Sequence, residues 1–399
     1  MRRGAWHQCG DRSQILVEEQ LGQGAGVGVI LSPRDLSRSR ALSYAGRYRE
    51  FGAEVLLDHQ FYVPGFLNQK LASYPISGFR AAVSSLNQLS DTQMDELQNQ
   101  LRIDNAELET DAVIAPAVLY EAGRQDIVQL NARLFGAART VAAELEIPVY
   151  ATIVLGQSVT SSEQTIAAAL AQATALNSDG WYFAFEFEDE RIPSSRDAVR
   201  RCCAAGLTLA CTGKPVLHAY AGPLGLLSYG FGATGVGLGH SQNLWRFTRD
   251  RWQQPISTQG GGGDAPPRFF SSSLWGTIVY PDETAQLPAP IRQQVLTGSP
   301  FSGPVTAGNP SWPRWDAGKH LVFLIASVIS QMSQINGARA SVQAAIQRLQ
   351  NAVQLHQTIQ QGGLFLSDAT NTYQDNWRLA LEDVLQNNAA DFDYLELIS

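Results

Sequence analysis

Lysine is nearly missing from this chain. Three stand in 399 residues, Lys70, Lys214 and Lys319, against 26 arginines. We read the bias as coding-sequence base composition rather than a phosphate-binding signal. Acidic residues outnumber basic ones and the formal net charge is −8. That excludes unspecific attachment to nucleic acid through overall charge, and a nucleic-acid partner would need a local arginine-lined groove. Cysteine is scarce too. Cys9, Cys202, Cys203 and Cys211 show no paired CxxC spacing and no neighbouring ligand histidines, so neither a disulfide framework nor a zinc site is expected, and a reducing cytoplasm is. No apolar run reaches the roughly 20 residues that span a bilayer. The opening MRRGAWHQCGDRSQ has no apolar run of signal-peptide length. The expectation is a soluble, cytoplasmic protein with no membrane contact.

What is present is a large apolar content, 44% hydrophobic against 17% charged, enough to bury a core without staples. Eight apolar runs recur with helical patterns between them: VGVILS (27–32), AEVLLD (53–58), DAVIAPAVL (111–119), PVYATIVLG (148–156), WYFAFEF (181–187), PVLHAYA (215–221), TGVGLG (234–239) and RFFSSSLWGTIVY (268–280). Near-continuous apolar strands alternating with helices predict a parallel sheet buried on both faces, and eight strands close a (β/α)8 TIM-type barrel. Helices are expected between them, among them SRSRALSYAGRYREFG, SSEQTIAAALAQATAL, SRDAVRRCCAAGLTLACTG and SQNLWRFTRDRW. The predicted organisation is an N-terminal extension over 1–25, the barrel over 26–300, and appended C-terminal helices over 301–399 that brace the barrel or mediate self-association.

Two suggestive motifs fail their context tests. GQGAGVGV leads into a strand instead of following one, so it is no dinucleotide loop. Ser271 to Ser273 lack a G-x-S-x-G elbow. Trp312 and Trp315 in NPSWPRWD read as loop packing over the barrel end before they read as a stacking platform.

Barrel pockets form at the carboxyl ends of the strands, so polar residues just past each apolar run are the candidates. Asp58 follows four apolar residues and is the acid weighted most, with a pKa open to tuning by burial. Glu186 sits between Phe185 and Phe187, where a carboxylate is costly to bury, and alternation places Glu186 and Glu188 on one side as an acid/base pair. His218 and His240 end the sixth and seventh runs and are expected to orient substrate. Arg34, Asp35, Gln60, Tyr62, Glu121, Gln157, Glu188, Tyr220 and Gln242 are expected to bind it, with Gly237 and Gly239 allowing close backbone approach. No cofactor and no metal is assigned.

Two of these stretches, AEVLLDHQFYVPGF and KPVLHAYAGPLGLLSYGFGATGVGLG, together 40 residues, resemble the tRNA-guanine transglycosylase superfamily, including its branch that acts on DNA. The resemblance implies a barrel enzyme that exchanges a base at a glycosidic bond. The chain departs from the family where an aspartate nucleophile would stand, reading Gly235-Val236-Gly237-Leu238-Gly239, and it lacks the cysteine-rich zinc site. On that resemblance the reacting carboxylate moves to Asp58 or Glu186 and the substrate is a small molecule containing a nucleobase, a nucleoside, or a nucleic acid. The alternative is a catalytically degenerate barrel that serves as a binding or scaffold protein, assembled with itself or a partner through its C-terminal helices.

Overall fold

Side chains alternate along a strand, so in a closed barrel each apolar run supplies one set of residues to the lumen and the other to the helix layer. The computed structural model describes residues 1–85, 89–187, 192–241, 244–252, 266–367 and 371–398. Its central feature is a closed parallel barrel of eight strands in chain order: β1 (Gly4–Gln8), β2 (Gly28–Leu31), β3 (Glu54–Leu57), β4 (Ala112–Ile114), β5 (Val149–Leu155), β6 (Gly180–Phe185), β7 (Val216–His218) and β8 (Gly235–Leu238). It is a TIM-type barrel. Trp6, Ile30, Leu56, Ile114, Tyr150, Val154, Tyr182 and Leu217 fill the lumen. Their neighbours Val29, Val55, Val113, Ile153, Phe183 and Val236 face the helices. Among the helices of that outer layer are Gln14–Gly22, Arg38–Glu50, Asp91–Leu108, Gln125–Leu145, Glu163–Thr174 and Arg196–Ala210.

The barrel closes where β1 pairs with β2 on one side and β8 on the other, with Trp6 opposite both Gly28 and Gly237. Glycine is required there by space. A Cβ on Gly28 would lie 2.4 Å from the Trp6 ring and 2.9 Å from the Glu54 carbonyl oxygen, and one on Gly235 would lie 2.9 Å from the Trp6 indole nitrogen. The glycines of β2 and β8 therefore make room for one large side chain in the lumen.

Three assignments from the sequence change. Residues 1–25, expected as an extension, contain β1. GAWHQ is short and carries His7 and Gln8, so it lacks an apolar signature and becomes a strand through pairing on both edges. The eighth predicted run, 268–280, lies outside the barrel as an antiparallel pair, β9 (Arg268–Ser271) and β10 (Gly276–Val279), because the turn Ser272–Trp275 folds the run back on itself. The predicted helix SQNLWRFTRDRW also differs. Its residues 244–252 cross the barrel mouth and include the 3-10 turn Arg249–Trp252, while Gln242 and Asn243 lie outside the described residues.

The C-terminal helices Arg314–Ser333, Ala338–Gln361, Asn371–Asn387 and Ala389–Ile398 pack against the barrel's outer layer. Trp377, fully buried, donates its indole N–H to the Pro193 carbonyl at 2.6 Å, and Arg196 makes a bidentate pair with Asp383 at 2.7 and 2.8 Å. Trp312 packs against Phe269, Tyr280 and His320, which is the packing role expected of it. Among the described residues no helix is long and apolar enough to cross a membrane.

Replacing Gly28 with alanine is expected to destabilise the fold by ~1–3 kcal/mol through overpacking against Trp6. Urea unfolding measures this, and an unchanged midpoint would show that the lumen tolerates a side chain there.

Candidate functional site

Asp58 follows β3 in the same alternation as Leu56, so its carboxylate points into the barrel mouth, where it is 2% exposed. One oxygen accepts from the Tyr62 hydroxyl at 2.6 Å and the Tyr182 hydroxyl at 3.0 Å, with the Tyr220 hydroxyl at 3.5 Å. The other accepts the Gln60 backbone N–H at 3.0 Å. Burial raises the Asp58 pKa above the usual carboxylate range, against the pull of the Tyr62, Tyr182 and Gln60 donors. Burial likewise pushes Tyr62, Tyr182 and Tyr220 upward. The phenols therefore stay protonated and serve as donors. Arg80 donates to the carbonyls of Phe66, His59 and Gln60 at 3.0, 3.3 and 2.7 Å, pinning the loop behind Asp58, and burial lowers its pKa to about 10 against the charge of Asp58.

Gln60 links this carboxylate to a second polar group. Its amide nitrogen donates to the Tyr220 hydroxyl at 3.1 Å and to Ser32 at 2.9 Å, and Ser32 donates to Asp35 at 2.9 Å. Asp35 in turn pairs with Arg34 at 2.9 Å and with Arg251. Gln60 and Tyr220 both have left-handed backbones, φ 56° and 53°. The strained Tyr220 is held by its N–H donating to Gln8 at 2.8 Å. Strain of this kind costs energy and persists where surrounding contacts over-determine it, often at functional sites.

Residues 244–252 close the mouth. Phe247 and Trp252 meet the Tyr62 ring edge-on at 5.3 and 5.6 Å. Arg249 donates its backbone N–H and guanidinium to Glu186 at 3.0 Å each, and reaches Glu121 at 2.6 Å. Arg34 donates to the Arg251 carbonyl at 3.0 Å. The carboxylates Asp35, Glu121 and Glu186, all expected to meet substrate, thus clasp the chain's own arginines. Gln157 donates its N–H to Glu186 at 2.7 Å and lines a cleft of about 310 Å³ with Thr160, Ser195 and Arg201.

The remaining candidates separate. His218 does not reach the mouth. Leu217 and Ala219 point inward, so His218 points outward, bonded to Ser228 at 2.7 Å and packed on Phe183 and Phe231. Gly237 and Gly239 give no ligand close access either, because their open sides are filled: a Cβ would lie 3.2 Å from the Gln8 amide oxygen at Gly237 and 2.1 Å from Leu244 at Gly239. His240 stands at the rim in a cleft of about 390 Å³ with Trp245, Arg268 and Arg314, its ring 5.8 Å from that of Trp315. Glu188 and Gln242 lie outside the described residues. Sequence reading passed over Gln8, Tyr182, Arg249 and Arg251. Tyr182 shares the parity of Glu186 in WYFAFEF and was legible; Gln8 was hidden with its strand. Among the described residues no group of three His, Cys, Asp or Glu could hold a metal ion.

No family model and no curated protein matches the chain. N-acetylneuraminate lyase from Mycoplasma synoviae aligns over 96% of this chain and 97% of its own at 11% identity, TM-score 0.33. Dihydrodipicolinate synthase from Bacteroides thetaiotaomicron aligns over 96% and 98% at 11% identity, TM-score 0.35. 3-Dehydroquinate dehydratase from Aquifex aeolicus aligns over 59% and 88% at 11%, TM-score 0.34. These matches do not confirm the transglycosylase resemblance.

The buried histidines set a pH dependence. Burial lowers His218 to about 3, and His7, His320 and His356 to about 4, the last three against a backbone carbonyl that favours the proton. Unfolded imidazoles take a proton near pH 6.5, folded ones do not until pH 3–4, so stability is full above 6.5 and is lost as pH falls toward 4. Each histidine contributes a slope of ~1.4 kcal/mol per pH unit in that window. Urea midpoints at pH 7 and pH 5 test this; equal values would mean the rings are solvated.

Proposed function

We propose that the chain is a barrel enzyme whose reacting group is Asp58, acting at a glycosidic or related C–N bond of a nucleobase-containing substrate. The observation that supports it is the buried carboxylate under protonated phenols, held by two residues with strained backbones. A carboxylate with raised pKa and donors on one oxygen suits acid/base or nucleophilic work. In the nucleophilic form, Asp58 bonds to the anomeric carbon as the C–N electron pair leaves with the base, which takes up a proton; a second base or water then displaces the carboxylate and gives up a proton. The aromatic rings of Tyr62, Tyr220, Phe247 and Trp252 provide faces for a flat ligand. Residues 244–252, which carry Phe247 and Trp252, border that space. Glu186 then acts mainly by anchoring that segment through Arg249, and His218 acts by packing.

Asp58→Asn is expected to keep the fold and lose ~10²–10⁴-fold in turnover of nucleosides or nucleotides followed by base release. Tyr182→Phe should lose ~10-fold, the scale of one hydrogen bond to a charged group. Full activity in Asp58→Asn would remove the proposed reacting group.

The scaffold reading has its own observation. Helix Ala389–Ile398 leaves Tyr394 and Leu397 50% and 84% exposed, an apolar edge suited to a second copy. If it assembles the protein, Leu397→Asp should reduce the mass seen by light scattering; an unchanged mass counts against it.

A further inference from the structure

Among the described residues, buried donors without a partner gather at the barrel mouth. Gln8, 2% exposed, leaves its amide nitrogen without a partner while its oxygen accepts from Tyr220. Arg251, 7% exposed, has Nε and Nη1 unpartnered, and the buried Trp252 indole N–H is unpartnered as well. These groups share one neighbourhood. The Arg251 guanidinium lies 5.5 Å from the Tyr220 ring centre and 5.7 Å from that of Trp252, and Arg34 lies 5.6 Å from the Trp252 ring. Buried polar groups are nearly always satisfied, so a cluster of orphan donors marks a place for an acceptor from outside the chain.

Charge points the same way. Arg34 and Arg251 share the single carboxylate of Asp35. Among the described residues, one of two half-buried or buried guanidinium charges is therefore left without a counter-ion, and an uncompensated cation is costly there. Burial first and then the Arg251 charge bring the Arg34 pKa down. A water could accept from one donor, but it brings no charge.

We infer that Arg34, Arg251, Gln8 and Trp252 form a binding site for an oxyanion, of the phosphate type, at the barrel mouth. Guanidinium N–H pairs match the oxygens of such a group. As a claim about substrate this rests on Asp58 as the reacting carboxylate, and it then specifies a phosphorylated substrate, a nucleotide or a nucleic-acid strand, over a free nucleoside. As a claim about binding it does not need Asp58.

The test uses the full chain and titration calorimetry with inorganic phosphate, a panel of nucleosides, and the matching nucleoside monophosphates. Phosphate is expected to bind wild type, and a monophosphate to bind at least ~10-fold more tightly than its nucleoside. Arg251→Lys keeps the charge beside Asp35 but loses the two orphan N–H groups, and Gln8→Met keeps the bulk; each should weaken phosphate by roughly 10-fold. Asp58→Asn should still bind phosphate. No phosphate binding by wild type, or undiminished binding in both folded variants, overturns the inference. If phosphate binds as expected but no base is released from any compound, the site stands and the reading of Asp58 fails. If bases are released from nucleosides and monophosphates alike with equal affinity, Asp58 stands and the oxyanion site fails.

Discussion

The pairing of β1 with β8 is the constraint on which the rest depends. Once Gly4 opposes Gly235 and Trp6 opposes Gly237, the sheet has no edge, and each strand is paired on both sides. Parity then passes from strand to strand. Trp6 inward makes Gln8 inward; Leu56 inward makes Asp58 inward; Tyr182 inward makes Glu186 inward; Leu217 inward turns His218 out to the helices. A one-residue slip anywhere would exchange these sets. The small residues of β2 and β8 keep that register by accepting the Trp6 ring, which occupies space their own side chains would need.

The mouth above this lumen is governed by charge burial. Asp58 is held by phenols and a backbone N–H instead of a cation, with Arg80 behind the loop as a fixed positive charge. Around it Asp35, Glu121 and Glu186 meet Arg251 and Arg249 from a single segment. Ion pairs of this sort stabilise mainly by avoiding lone buried charges. They tie residues 244–252 across the opening and seal the barrel. Among the described residues, the donors left over near Tyr220 have no partner within the chain.

Much of the site could be read from residues in sequence because the chain places them together. DHQFY carries the carboxylate, the bridging amide and one phenol in five consecutive positions after an apolar run, and SPRD does the same for Arg34 and Asp35. His218 was misread because a polar residue at a strand end was taken as lumen-facing without counting from Leu217. Gly237 and Gly239 were taken as room for a ligand, yet that room is used by Gln8 and Leu244, residues 229 positions before and five after. The 268–280 run has the composition of a strand and forms two, since composition does not say whether Ser272–Trp275 turns. GAWHQ has too few apolar residues to be seen as a strand before its neighbours are known.

What the sequence by itself determined was local: apolar runs spaced by helices, hence a parallel barrel, and acids and aromatics just past the run ends, hence a polar mouth. Those features follow from periodicity and from the cost of burying charge, which act within a few residues. Only the tertiary structure decided which strand closes the ring, which of two faces each side chain takes, and that Arg249 and Arg251 fill the mouth facing Glu186 and Asp35. Those outcomes depend on pairing between segments up to 231 residues apart, Gly4 with Gly235, and on the competition of distant side chains for one volume, neither of which is written in any single stretch.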